Sequence, residues 1–141
     1  VTSLLFDLSF YAAAPFWLLM IAVPLWPWTR RVVASPWVVA PVVVVWLVLA
    51  APVFGDLVSL VLQPTLEGAV AFVRDERGLA ALWAQIIAWD LFIGRWVYLD
   101  SRERDIHPLV MAPVLVLMIL LSPIGLPLYL VLRKGVTRRS A

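Results

Sequence analysis

Three ionisable side chains, Asp90, Arg95 and Asp100, recur at five-residue steps in the stretch Trp83 to Arg104 (WAQIIAWDLFIGRWVYLDSRER), which is mostly apolar as far as Leu99. Two carboxylates flanking an arginine are the raw material of general acid–base chemistry: one group gives a proton, another takes one, and a cation steadies the charge between them. A helix drawn from about Leu79 to about Leu99 is roughly one bilayer crossing. Asp90 then falls near mid-depth, where an ionisable side chain costs roughly 2.5 to 3.5 kcal/mol on insertion scales. Arg95 lies about 7.5 Å further along the axis and about 140° around it, so a direct intrahelical pair is not favoured. Asp90 is expected to face the interior and to find its partner on another helix, in water or in a ligand.

On a helical wheel, Trp83, Ile87, Asp90, Gly94 and Tyr98 share one face, and Gln85, Trp89, Phe92 and Trp96 share a neighbouring one. Gly94 has no side chain and leaves room for close approach beside Asp90. The structural reading of that pair is close helix packing at the glycine with a polar group as glue. The functional reading makes Asp90 an acid, the default for an ionisable group in a membrane. Trp96 and Tyr98 lie near the helix end, where an aromatic belt is expected in any case; Trp83 suits the opposite belt, and Trp89, near mid-depth, does not fit that explanation.

These residues need a membrane protein to position them, and the composition describes one. The 141 residues are 64% hydrophobic and 14% charged, with a mean hydropathy of +0.99, whereas a soluble domain carries about 25% charged residues. The absence of cysteine excludes disulfides, thiolate metal sites and cysteine nucleophiles, and the single histidine, His107, excludes multi-histidine di-iron chemistry within this chain. No metal-spaced cluster, phosphate loop or Ser-His-Asp set is present, so no metal and no cofactor are expected. The pI of about 9.5 comes mostly from the tail Arg133, Lys134, Arg138 and Arg139, which reads as an anchor to anionic headgroups with no nucleic-acid signal.

In chain order, the predicted architecture is an all-α integral membrane bundle of four transmembrane helices forming one domain over residues 1–141. The first span runs from about Leu4 to Trp28, is retained as a helix, and is bent at Pro15 and Pro24. It exits through Trp26-Pro27-Trp28-Thr29-Arg30-Arg31, aromatic belt first and positive charge after. The second, about Ser35 to Phe54, carries no ionisable group. From Gly55 to Gly78 the sequence predicts a long connection with short interfacial pieces at Leu57–Leu62 and Ala69–Val73. The third span, 79–99, is followed by a charged connection in which Asp100, Arg102 and His107 form a structural polar cluster. The fourth, 108–132, contains Ser122-Pro123-Ile124-Gly125-Leu126-Pro127, which invites local unwinding, tolerated in lipid only where it is packed in protein or lines a cavity. Loop arginines weakly favour both termini in the cytoplasm. Residue usage, with no transit peptide, predicts a bacterial cell (inner) membrane.

The run Asp90-Leu91-Phe92-Ile93-Gly94-Arg95-Trp96-Val97-Tyr98-Leu99-Asp100-Ser101-Arg102, followed by His107, by Ser122-Pro123-Ile124-Gly125-Leu126 and by Tyr129, resembles the abscisic-acid-deficient-four-like membrane proteins. The plant members of that family are associated with neoxanthin synthesis. The resemblance extends to the first helix and its Trp28-Thr29-Arg30-Arg31 exit. It implies a four-helix membrane protein of carotenoid metabolism, and in the plant reaction a 5,6-epoxide end group becomes an allene without redox change. One position departs: an amide, Gln85, stands where a histidine is expected in many relatives, and an amide does not titrate near neutrality.

Two functions follow as expectations. The first is a carotenoid-modifying isomerase in which Asp90 and Arg95 carry the chemistry, and Trp83, Gln85, Trp89, Gly94, Trp96 and Tyr98 bind a bound carotenoid or other polyene lipid. Asp100 lies about 15 Å from Asp90 along a straight helix, too far to act on the same end group. The second is a non-enzymatic pigment-binding bundle or accessory subunit of a larger membrane complex, homo-oligomeric or otherwise, in which Asp90 and Arg95 are satisfied across helices.

Overall fold

The computed structural model of the chain describes residues 1–140, with side chains to residue 136; Arg138 and Arg139 of the basic tail therefore lie outside the described side chains. It is 90% helical, with no strand among the described residues. The helices are α1 (Thr2–Ala22), α2 (Pro27–Ala34), α3 (Ala40–Ala50), α4 (Phe54–Leu62), α5 (Leu66–Arg74), α6 (Glu76–Glu103) and α7 (Pro108–Ser140). Single 3-10 turns, Pro36–Val39 and Ala51–Val53, lead into α3 and α4.

Prolines and caps account for most of the boundaries. Pro15 is carried inside α1, but the first span is not one helix to Trp28. It ends at Ala22, two residues before Pro24, because a residue preceding proline is driven out of the α region; Pro27 then opens α2 at the position where its missing N–H costs nothing. The connection expected over 55–78 is mostly helical. The second apolar segment runs on through α4 to Leu62, and α5 starts where the Thr65 side chain accepts from Gly68 N at 3.0 Å, an N-cap. Helix α6 begins earlier than Leu79 and passes through Gly78 unbroken, with Asp75 Oδ1 accepting from Arg77 N at 2.8 Å.

The chain divides into two compact units. The first comprises Val1–Ala13 with Val39–Ala88. Its core gathers Leu49, Ala50 and Val53, Phe72 of α5, and Ala80, Ala81 and Ala84 of α6, with Leu5, Phe6 and Trp46 packed against them. Three alanines on one face of α6 let apolar partners approach closely. Phe6 and Trp83 stack there with ring centroids 5.4 Å apart.

The second unit comprises Ala14–Val38 with Trp89–Ala141. Trp17, Leu91, Val97, Tyr98, Met118 and Tyr129 are buried in it. Leu121 of α7 departs from helical geometry, with φ −146° and ψ 72°. The break falls at the start of the expected Ser122–Pro127 segment, since Pro123 has no N–H for the turn before it.

Three stretches are long and apolar enough to cross a membrane: Thr2–Ala22, Pro36–Leu62 and Pro108–Val136. The chain is accordingly all-helical and membrane-associated. Helix α6 is long enough at 28 residues, but its ionisable residues keep it out of that set.

Gly78 yields a test of packing against propensity. A Cβ there would run into the Phe72 carbonyl oxygen, a backbone atom with little freedom to yield. Helix propensity alone favours alanine over glycine by about 1 kcal/mol. Gly78→Ala is nevertheless expected to destabilise the protein by about 1–3 kcal/mol, read as a lower thermal midpoint in detergent; a raised midpoint would show that the α5–α6 turn can move aside.

Candidate functional site

Of the residues that the wheel puts on one face of α6, Ile87, Asp90, Gly94 and Tyr98 are buried, while Trp83 is 40% exposed. Asp90 is 9% exposed. Its carboxyl has the side chain of Ser122 beside it, the residue that follows the break in α7. A mid-helix acid therefore stands against the point where the facing backbone leaves its hydrogen-bond ladder, and Pro123 leaves a carbonyl of the preceding turn without its usual donor.

One turn further along α6, Gly94 receives the indole of Trp17, and a Cβ would collide with that ring. The close approach foreseen at the glycine is thus filled by a side chain of α1. Trp17 itself carries no signal in the sequence, because one tryptophan among eight in an apolar run has nothing to mark it.

Arg95 turns away from Asp90. Its Nε donates to Val33 O at 2.7 Å and its Nη2 to Ala34 O at 2.6 Å. These are terminal carbonyls of α2, which lack intrahelical donors. A helix C-terminus also attracts a cation. Tyr98 donates its hydroxyl to Pro24 O at 2.6 Å, and Thr29 Oγ1 donates to Val23 O at 2.9 Å. Three side chains thereby satisfy the turn between α1 and α2 and the end of α2.

The expected cluster of Asp100, Arg102 and His107 is resolved into three separate contacts. Asp100 accepts from the Tyr129 hydroxyl, from Arg133 Nε at 2.9 Å and from Arg104 Nε at 3.1 Å. Burial acts against its charged form, but the Tyr129 and Arg133 hydrogen bonds and the neighbouring guanidinium groups outweigh it and hold the carboxyl below its ordinary range. Arg102 donates to the Ile106 carbonyl, closing a turn in which Asp105 takes a left-handed φ of 52°. His107 Nδ1 accepts from Leu109 N at 3.1 Å and so caps the start of α7.

The tryptophans do not act as one wall. Trp83 packs on Phe6. Trp96 meets Tyr129 edge-on at 6.0 Å and lies under the Arg133 guanidinium. Trp89 is 58% exposed, and Gln85 is half-buried. Among the described residues no group of three or more histidines, cysteines and carboxylates could hold a metal. Elsewhere, a cavity of about 490 Å³ lies between α4 and α5. It is walled in part by Asp56, Ser59, Gln63, Thr65 and Asp75, of which Thr65 and Asp75 are engaged as caps.

With this geometry stands one finding from comparison: the ABA DEFICIENT 4-like family model matches residues 4–129, a span that contains every position of the α6 motif and reaches Tyr129. No curated protein and no solved structure matches the chain.

The Asp100 contacts make stability depend on acid. An unfolded aspartate titrates near about 3.9, and the folded carboxyl titrates lower, so its contribution is complete above that value and is lost as pH falls through the folded one. Asp100→Asn is expected to cost about 1–3 kcal/mol at neutral pH, with the deficit narrowing towards zero in acid. Thermal midpoints of both proteins in detergent from pH 7 downwards check this; a gap constant with pH would mean the carboxylate charge contributes nothing.

Proposed function

We propose, from the premise that this chain belongs to the ABA DEFICIENT 4-like family, that it is a four-span membrane protein that isomerises a carotenoid end group with Asp90 as its proton-transfer residue. The family links the chain to carotenoid-related processes. The observation that supports the assignment of Asp90 is its position: a carboxyl 9% exposed near the middle of α6, with the side chain of Ser122, at the break in the facing helix, beside it. Arg95, Tyr98, Asp100 and Arg102 each have a fastening role that explains them. Asp90 does not.

A single carboxyl is enough for an epoxide-to-allene conversion. Its proton goes to the ring oxygen as one C–O bond breaks, and that oxygen stays as a hydroxyl. The electron pair of the neighbouring vinylic C–H then forms the new cumulated double bond, and the released proton returns to the carboxylate. No electron is exchanged with a co-reactant, and the acid ends as it began. Ser122 holds the carboxyl in orientation. Arg95 positions α2 in this reading and takes no proton.

The second reading, a pigment-binding or accessory role, is favoured by how much of the α6 motif is committed to holding helices. One experiment separates them. The protein is purified in mild detergent, its visible spectrum is recorded, and the extracted pigment is identified for wild type, Asp90→Asn and Arg95→Ala. Proton transfer at Asp90 predicts a carotenoid in fixed ratio that Asp90→Asn retains unconverted, with at least a hundredfold loss of conversion, while Arg95→Ala melts earlier yet still converts. A pigment identical in wild type and Asp90→Asn would favour binding alone.

Support for four spans comes from the second unit. Arg30 and Arg31 after α1 line the same cavity as Arg102, in the last turn of α6, and Asp105 beyond it. From Ala34 the chain crosses by Pro36–Leu62, and α6 is the segment left to bring it back to that side. With no native cysteine, single cysteines report topology cleanly. Gln63→Cys and Asp105→Cys are expected to react with impermeant maleimide from opposite faces, Gln63→Cys from the cytoplasm, with both termini on that face; labelling from one face would remove α6 as a span.

A further inference from the structure

Where α1 gives way to α2, two cavities share a wall. One, of about 530 Å³, is lined by Arg30, Arg31, Arg102 and a single carboxylate, Asp105, over Pro24, Leu25 and Trp26. The other, of about 670 Å³, is bounded by Ala22, Val23 and Pro108 and by the same Pro24, Leu25 and Trp26. Ala22 ends one membrane-crossing stretch and Pro108 begins another, so the pair of cavities lies where apolar spans give way to charge. Their shared wall is built and held: Tyr98, buried, donates to its carbonyl at Pro24, and Thr29, also buried, donates to the carbonyl of Val23 next to it. Among the described residues none of the three arginines pairs with a carboxylate. Arg31 stacks on the Trp28 ring, and Arg102 holds the Ile106 carbonyl.

Three guanidinium groups over one carboxylate select an anion, and guanidinium forks match phosphate oxygens in particular. An apolar recess opening from the same wall selects a chain attached to that phosphate. We infer that this pair of cavities is a binding site for one anionic phospholipid, its phosphate among Arg30, Arg31 and Arg102 and its acyl chain along Leu25 and Trp26. The site is independent of Asp90 and of any reaction there. It differs from the general attraction of a basic surface for anionic lipid, worth about 1 kcal/mol per residue wherever the charge sits, because it is saturable and local.

The test uses the full chain in detergent micelles with phosphatidylglycerol, phosphatidylcholine or inorganic phosphate added, and counts bound lipid by native mass spectrometry. The site predicts one phosphatidylglycerol per chain, no comparable retention of phosphatidylcholine, and no displacement by a large excess of inorganic phosphate. Arg30→Gln with Arg31→Gln should weaken it about 30-fold, and Arg74→Gln, an exposed arginine on α5, should leave it unchanged. Leu25→Glu, at a position 70% exposed, should also abolish retention and guards against misfolding of the double variant. Equal retention of phosphatidylcholine, equal weakening by Arg74→Gln, or retention by Leu25→Glu would overturn the site. Displacement by inorganic phosphate would reassign it to free anions and overturn the lipid.

Discussion

A peptide carbonyl at a helix end has no donor within its own helix, and the second unit is arranged around that constraint. The chain interrupts its helices after Ala22 and again after Ala34, and each interruption exposes acceptors. One face of α6 brings the donors: Tyr98 to Pro24, Arg95 to Val33 and Ala34. A guanidinium suits the second task because its rigid fork can reach two adjacent carbonyls at once. Once α6 is held at these points, the rotation of the whole helix is set. Asp90, about a turn and a half earlier, is then directed at the break in α7.

The two aspartates of the motif stand in contrasting surroundings. Asp100 is surrounded by donors, a phenol and two guanidinium groups, and its charge is stabilised by all of them. Asp90 is buried with the neutral side chain of Ser122 beside it. A carboxylate as well bound as Asp100 is a poor proton shuttle.

Much of this was legible before any coordinates. The apolar lengths marked membrane helices; the wheel of α6 put Asp90, Gly94 and Tyr98 on the inward face; and the density of proline with glycine after Ser122 marked the broken helix. Other features could not be read, for identifiable reasons. Arg95 meets carbonyls about sixty residues earlier, and a backbone acceptor leaves no trace in side-chain pattern. Trp17 fills Gly94 without any periodic signal. Gly78 reads as the end of a connection, yet its lack of a side chain is needed where the Phe72 carbonyl presses against α6. Polar residues between Asp56 and Arg77 suggested a loop, but several of them, Thr65 and Asp75 among them, are caps that begin helices.

Arg133 belongs to this architecture although it lies in what reads as a basic tail and beyond the segment that the family model covers. It reaches back to Asp100 with two nitrogens and covers Trp96. A fragment trimmed at Tyr129, the end of the matched segment, would keep every motif residue and still lose a wall of the Asp100 site. The boundary drawn by family likeness and the boundary of the folded unit are therefore different, and a piece of this chain cut for expression has to be chosen by the second.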